Sequence, residues 1–336
     1  MYKKGVLLVN LGTPDDPGRK SVYRYLKQFL LDPRVIDISP IARNVLVRGI
    51  IAPFRSGSSS KLYKLLWTQD GSPLKIYGIK VRDALREKLG SDYVVELGMR
   101  YQKPSIESAL DALKQQNVSS IKVVPLFTQY ASASTGSVYE EVMRILSKWQ
   151  AIPHLEIVNS FYKNEKLIDV FVQRAHEYNL DDYEHFVFSY HGIPQRHLRK
   201  ADHNNHCLKN KDCCQTITEK NQFCYSAQCY ATTFEIVKKL GLRKDQYTVC
   251  FQSRLGKDPW TEPFTPDALK ELSDKGIKNI LVFSPSFVAD CLETLIEIGD
   301  EYKEEWEEWG GEKIDLVASL NDHPLWIEAL EDIIKN

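Results

Sequence analysis

The chain has 336 residues, 43% hydrophobic and 26% charged, a length and balance that suit one large or two medium globular domains and exclude disordered, collagenous and coiled-coil chains. Lys and Arg number 44 against 45 Asp and Glu, a formal net charge of −1. The chain therefore lacks the global positive field on which non-specific nucleic-acid binding rests.

Taken in chain order, the opening MYKKGVLLVNLG runs into Gly12-Thr13-Pro14 and Asp15-Asp16 with no small-residue cleavage site, so Val6–Val9 reads as a buried strand rather than a signal peptide. Residues 21–60 are apolar yet studded with Arg34, Arg43, Arg48 and Arg55. They suit helices with an exposed greasy edge, a pocket lip or a surface that touches a bilayer, and equally ordinary core helices with solvated arginines. No uncharged apolar run approaches the roughly 18 residues of a membrane span. Strands are expected at Tyr93–Leu97, Ile121–Phe127, Leu155–Val158, His185–Ser189, Thr248–Phe251, Ile277–Phe283 and Ile314–Ala318. Helical patterns fall at Ile106–Gln116, Val138–Trp149, Ala231–Leu240 and Pro266–Lys275. Strand and helix alternating at this spacing predict an α/β fold with mostly parallel sheets and right-handed crossovers. IKVVPLFTQYASASTG and IKNILVFSPSFVADCLETL share one pattern: a buried strand, a proline turn, an aromatic, then small residues entering a helix. This predicts two similar lobes, residues 1–150 and 151–336, with a boundary near Lys148–Pro153 and a cleft at the carboxyl ends of their strands.

Several polar residues sit where such folds display reactive side chains. His191 ends a buried strand and is followed at once by Gly192 and Pro194; its imidazole could accept a proton or bind a metal near neutral pH. Glu293, Glu297 and Glu301 lie four apart and would line one helical face, a ladder able to pass cations or protons, although EYKEEWEEW beyond it reads as a solvated acidic helix. Arg100 and Tyr101 follow one strand and Tyr130 follows another; an arginine can hold a carboxylate by paired hydrogen bonds. There is no GxGxxG and no P-loop, so nucleotide binding has no sequence support.

Together these segments resemble the ferrochelatase family, class II chelatases that insert Fe²⁺ into a porphyrin in haem synthesis. The resemblance spans the chain and rests on LLVNLGTPDDP (Leu7–Pro17), DGSPLK (Asp70–Lys75), GMRYQKPSI (Gly98–Ile106), PLFTQYASASTGS (Pro125–Ser137), SYHGIPQRH (Ser189–His197), FQSRLGKDPWTEP (Phe251–Pro263) and FVADCLETLIEI (Phe287–Ile298). It implies a chelatase-like fold, two Rossmann-like lobes with four-stranded parallel sheets flanked by helices around a porphyrin cleft, and a last helix packing back toward the first lobe. It implies that His191 and Glu293 bind the substrate iron or accept protons, that Glu297 and Glu301 form an acidic path, and that Leu11, Arg100, Tyr101, Tyr130, Trp260 and Phe287 line the porphyrin. Residues 21–60 match the membrane-facing lip of relatives. Protoporphyrin IX is the expected substrate and haem b the product; coproporphyrin III, a cobalt chelatase and a non-catalytic porphyrin carrier are the alternatives. Fe²⁺ is a substrate here, and monomer and homodimer both stay open.

The segment 197–229 interrupts the alternation and reads as an insertion. Cys207, Cys213, Cys214, Cys224 and Cys229 fall within it, and in a reducing cytoplasm clustered thiols are metal ligands more often than disulfides. Four thiolates suit an iron–sulfur cluster or structural zinc, although the spacings lack the paired C-x₂-C knuckles typical of zinc ribbons. The resemblance to bacterial members with a cysteine-rich insertion implies a [2Fe–2S] cluster on Cys207, Cys213 or Cys214, Cys224 and Cys229. Cys229 could simply pack at the start of a helix, and His203 and His206 could substitute as ligands or be solvent-exposed loop histidines.

Overall fold

The computed structural model describes residues 2–210, 212–256 and 258–336. Lys211 of the cysteine-rich insertion and Lys257 of the Phe251–Pro263 motif lie outside the described residues. Each expected apolar run forms a strand: β1 (Lys4–Gly12), β2 (Tyr93–Tyr101), β3 (Ser120–Pro125), β4 (His154–Ile157), β5 (His185–His191), β6 (Tyr247–Gln252), β7 (Asn279–Phe283) and β8 (Lys313–Leu316). They form two parallel sheets, ordered β2-β1-β3-β4 and β6-β5-β7-β8. The second order is the first shifted by four strands, so the pseudo-repetition seen in the sequence is a repeat of topology.

Burial on both faces explains why the central strands read as unbroken apolar runs rather than as alternating ones. Val6 to Val9 of β1 and Val187 and Phe188 of β5 have no accessible surface. On the first sheet, Leu110 and Leu113 of the Ile106–Gln115 helix and Val138, Val142 and Ile145 of the Ser137–Leu146 helix pack against Leu7, Val9, Ile121 and Val123. Ser105 starts the first of these helices by accepting the Ser108 N–H at 3.1 Å. On the second sheet, Ala268, Leu269 and Leu272 join Tyr302 and Trp306 over Val187, Ile280 and Val282.

The chain divides into two compact units, one comprising residues up to 127 with 131–160 and 330–336, the other 128–130 and 161–329. The crossing comes later than the Lys148–Pro153 boundary because β4 pairs with β3, Ile121 opposite Leu155, and so completes the first sheet. The final turn belongs to the first unit, where Glu331 meets Lys88 at 3.5 Å and the Ile333 carbonyl accepts from Lys122 Nζ at 3.4 Å.

In each sheet the chain leaves a central strand to one side and returns on the other. The switch points are therefore β1/β3 and β5/β7, and in open α/β sheets ligands bind outside the carboxyl ends of the strands at such points. Before β2 lies a continuous helical stretch, Pro40–Val45, a π-helical Leu46–Ile51 and Ala52–Leu66. Ile41, Phe54 and Leu65 on it are 81%, 78% and 71% exposed. Among the described residues no helix is long and apolar enough to cross a membrane.

Candidate active site

The second switch point carries a histidine. β5 (HFVFSYH) is buried until His191, which is half-buried at its carboxyl end. Gly192 follows because a side chain has no room: a Cβ there would lie 2.8 Å from the Gln252 carbonyl and 3.2 Å from Trp260 Cε3. The Gly192 N–H donates to Gln252 O at 2.8 Å, and the chain then runs beside Trp260–Thr261. The backbone of His191 is held on both sides. Its N–H donates to Ser286 Oγ at 3.2 Å, and its carbonyl accepts the Tyr225 hydroxyl at 2.8 Å. The ring lies 6.2 Å from that of Phe287. Nδ1 is 2.6 Å from Gly192 O. A carbonyl only accepts, so Nδ1 carries the hydrogen and the neutral ring keeps its lone pair on Nε2.

After β7 the chain passes Ser286 and Phe287 and enters a nine-residue π-helix, Glu293–Glu301. Such wide helices are rare and frequent at functional sites. Glu293 is half-buried; burial, followed by the Glu293 charge and a hydrogen bond to its carboxylate, pushes the neighbouring Cys291 thiol far up. Gln252, opposite His191 in the β5/β6 register, donates from Nε2 to the Glu293 carbonyl at 2.8 Å and to Glu297 at 2.9 Å. One residue thus ties the histidine's strand to the glutamate's helix. Glu297 also accepts from Ser253 N–H at 2.9 Å, Ser253 Oγ at 2.5 Å and Tyr302 Oη at 2.9 Å. Four donors converge on it, so it is an anchored group rather than a free rung of a ladder. Burial and the Glu297 charge in turn push the Tyr302 hydroxyl up. Glu301 is exposed, and its carboxyl is raised by partial burial and by the charges of Glu297 and Glu305.

The first-unit candidates behave differently. Tyr101 has no accessible surface; its hydroxyl donates to Asp32 at 2.9 Å, and burial followed by the Asp32 charge pushes it far up. Arg100 donates to Asp32 at 2.7 Å and to Ser137 Oγ at 2.6 Å, with its guanidinium 4.8 Å from the Tyr101 ring. Tyr101 is thus fully packed and, together with Arg100, serves a buried carboxylate. Leu11 is half-buried beyond Asn10, whose side chain accepts its N–H at 2.8 Å. In the second unit, the Tyr130 N–H donates to Gln228 Oε1 at 2.7 Å. Trp260 is half-buried with no partner for its indole nitrogen among the described residues, and Phe287 is half-buried beside His191.

The Ferrochelatase family model matches residues 3–336. A ferrochelatase of Legionella pneumophila (strain Lens) is 46% identical over 332 residues, 99% of this chain and 98% of that protein. One from Coxiella burnetii (strain CbuK_Q154) is 45% identical over 335 residues, 99% and 93%. The chain belongs to the ferrochelatase family. It is accordingly a metal-chelatase lyase of haem biosynthesis, with Fe²⁺ as a substrate. The fold is also that of SirB from Bacillus subtilis with Fe3+ (14% identity, TM-score 0.54, 99% of this chain and 94% of that one). A sirohydrochlorin chelatase SirB from Bacillus subtilis subspecies spizizenii in complex with cobalt gives 12% identity and TM-score 0.57 over the same shares.

In this family member the thiols separate into two groups. Cys213 and Cys214 Sγ are 3.5 Å apart and Cys214 and Cys224 3.9 Å, while Cys207 hydrogen-bonds Cys224. These four line a cavity of about 230 Å³ with Asp202, His203 and His206. Among the described residues no three such side chains are arranged to hold a single metal ion; the sulfurs meet as a chain rather than around one point. Hydrogen bonds from the Cys207 and Cys214 thiols, helped by the amides of Ala227 and Ser226, hold Cys224 well below the usual thiol range. Cys229 stands apart from these four. It lies inside the Tyr225–Leu240 helix, fully buried against Tyr225, because that helix begins six residues earlier than the Ala231 expected from sequence. The insertion proper is thus residues 202–224, and both Cys213 and Cys214 stay in the cavity wall.

Proposed function

We propose that this chain converts protoporphyrin IX and Fe²⁺ to haem b and two protons, with His191 as the proton acceptor and Glu293 as the group that brings iron. The observation that carries this reading is the Nδ1–H bond from His191 to the Gly192 carbonyl, which leaves the Nε2 lone pair to accept a proton. The balance is simple: two pyrrole N–H bonds break, two iron–nitrogen bonds to the resulting anions form beside two dative ones, and iron stays ferrous throughout. One imidazole and one carboxylate suit a metal that must leave; a thiolate-rich site would retain it. The four donors on Glu297 support an anchoring role for it, and the exposure of Glu301 supports an outer position on an acidic path. Anaerobic turnover of protoporphyrin IX and coproporphyrin III, measured side by side, tests the substrate. Protoporphyrin is expected to give at least about a tenfold higher kcat/KM, roughly 1.4 kcal/mol, and the reverse order overturns the assignment.

A [2Fe–2S] cluster on Cys207, Cys213, Cys214 and Cys224 is the second part of the proposal. Their mutual approach and the cavity they line fit a group ligated by four thiolates. When bound, such a cluster supplies an iron- and oxidant-sensitive staple, since metallation itself transfers no electron. Serine at any of the four is expected to abolish the visible absorption of the purified protein, and Cys229→Ser to leave it intact. A colourless wild type with one zinc per chain, or bleaching by Cys229→Ser alone, refutes this ligand set. The exposed Ile41, Phe54 and Leu65 support a cytoplasmic enzyme that touches a bilayer peripherally.

A further inference from the structure

The cysteine cavity and His191 are joined by one helix. Cys224 is the residue immediately before the Tyr225–Leu240 helix, and the first residue of that helix, Tyr225, gives its hydroxyl to the His191 carbonyl at 2.8 Å. Two turns on, Thr233 Oγ1 meets the hydroxyl of Tyr190, the preceding residue of β5, at 2.8 Å. Between them Cys229 is buried against Tyr225, and Thr232 bonds Gln129 at 2.9 Å and the Tyr162 carbonyl at 3.0 Å. The helix is thus fixed along its length, while its first turn has two neighbours: the thiols on one side and the end of β5 on the other. The loop that carries the thiols holds itself by short-range bonds. Asn221 Nδ2 donates to the Cys213 and Thr216 carbonyls at 2.9 and 2.8 Å, and the Cys224 N–H donates to Asn221 O at 2.8 Å. A change around Cys213 or Cys214 therefore reaches Cys224 through Asn221 as well as through sulfur contact.

We propose that Tyr225 is a positioning residue for metal insertion, which makes the placement of His191 depend on the state of the four-thiol cavity. Ordering of Cys207, Cys213, Cys214 and Cys224 around a common ligand fixes the first helical turn. The Tyr225 hydroxyl then holds the His191 carbonyl, Ser286 holds its N–H, and Gly192 O is left in place to orient Nδ1. Disorder of the thiols frees that turn and lets the end of β5 relax, so the base is misplaced without being altered. Neighbouring groups that orient a reactive imidazole commonly affect rate by one or two powers of ten. The inference rests on the roles proposed above for His191 and for the thiols.

A double-mutant cycle on the full chain, purified anaerobically, tests it. Tyr225→Phe removes only the hydroxyl and is expected to lower kcat about tenfold with KM for porphyrin within about twofold, while the visible spectrum stays that of wild type. Cys214→Ser is expected to lower kcat in the wild-type background and to add less than about twofold in the Tyr225→Phe background. Cys207→Ser takes its place if Cys214→Ser does not fold by circular dichroism. Hydrogen exchange of the peptide spanning residues 186–194 gives a readout independent of turnover. The cysteine variant is expected to speed its exchange when Tyr225 is present and to change it little in the Tyr225→Phe background. Unchanged kcat in Tyr225→Phe, or losses that simply multiply, overturns the coupling. Retained activity in His191→Ala would instead refute the base assignment, with the exchange measurement still deciding whether the coupling exists.

Discussion

Replacing His191 with alanine is expected to slow Fe²⁺ insertion about 10³-fold, the middle of the range for a lost general base, with porphyrin affinity changed less than about threefold. The separation of the two effects follows from how the residue is held. Tyr225 and Ser286 bond its carbonyl and its N–H, not its ring, so truncating the imidazole leaves β5 and its turn in place. What is lost is Nε2 and its lone pair. Stopped-flow metallation under anaerobic conditions, with porphyrin binding followed by fluorescence quenching, reads both quantities. A variant that metallates within about threefold of wild type sinks the assignment of His191 as the base, whatever its affinity for porphyrin.

The second large effect lies far along the chain. Asp32→Ala is expected to destabilise the first unit by about 3–5 kcal/mol, because it leaves a buried guanidinium without its counter-charge. The Asp32 side chain is 2% exposed and that of Arg100 14%. Besides Arg100, the carboxylate accepts from Tyr101 Oη at 2.9 Å, Ser137 Oγ at 2.6 Å and the Arg34 N–H at 2.7 Å. A loop, a strand end and a helix start are thereby tied at one point. Calorimetry should show the first unit melting roughly 10 °C lower. The double variant Asp32→Leu/Arg100→Leu is expected to recover at least half of that, since removing both charges spares the unpaired one. A shift below about 2 °C in Asp32→Ala would mean that the pair is solvated and the buried network holds little.

Much of the scaffold was legible because buried parallel strands announce themselves as apolar runs at regular intervals, and every strand lies where such a run does. His191 was legible for a related reason: a strand, a histidine, a glycine and a proline in succession mark the carboxyl end of a sheet strand. The network around it was not. Gln252, Ser253, Ser286, Tyr225 and Tyr302 are polar residues whose partners lie between 5 and 95 positions away, and no local pattern records that. The surroundings of Tyr101 were not legible either: nothing near Asp32 in LLDPR marks it as the buried partner that accepts the Tyr101 hydroxyl. The spacing of thiols does not reveal where a helix begins, so the place of Cys229 inside one was not legible. The ladder of Glu293, Glu297 and Glu301 was read on α-helical geometry, and the wider winding of that segment left no signature in its composition.

That winding sets a limit on which lengths of chain the site can accept. A π turn holds one more residue than the hydrogen-bond spacing of an α-helix needs, so deleting a single position between 293 and 301 would let the segment snap to the tighter coil. Glu293 would then swing away relative to Glu297 even with every remaining side chain unchanged. Gaps and insertions should therefore be rejected between 293 and 301, and the spacing of the acids is held by residue count as much as by residue identity.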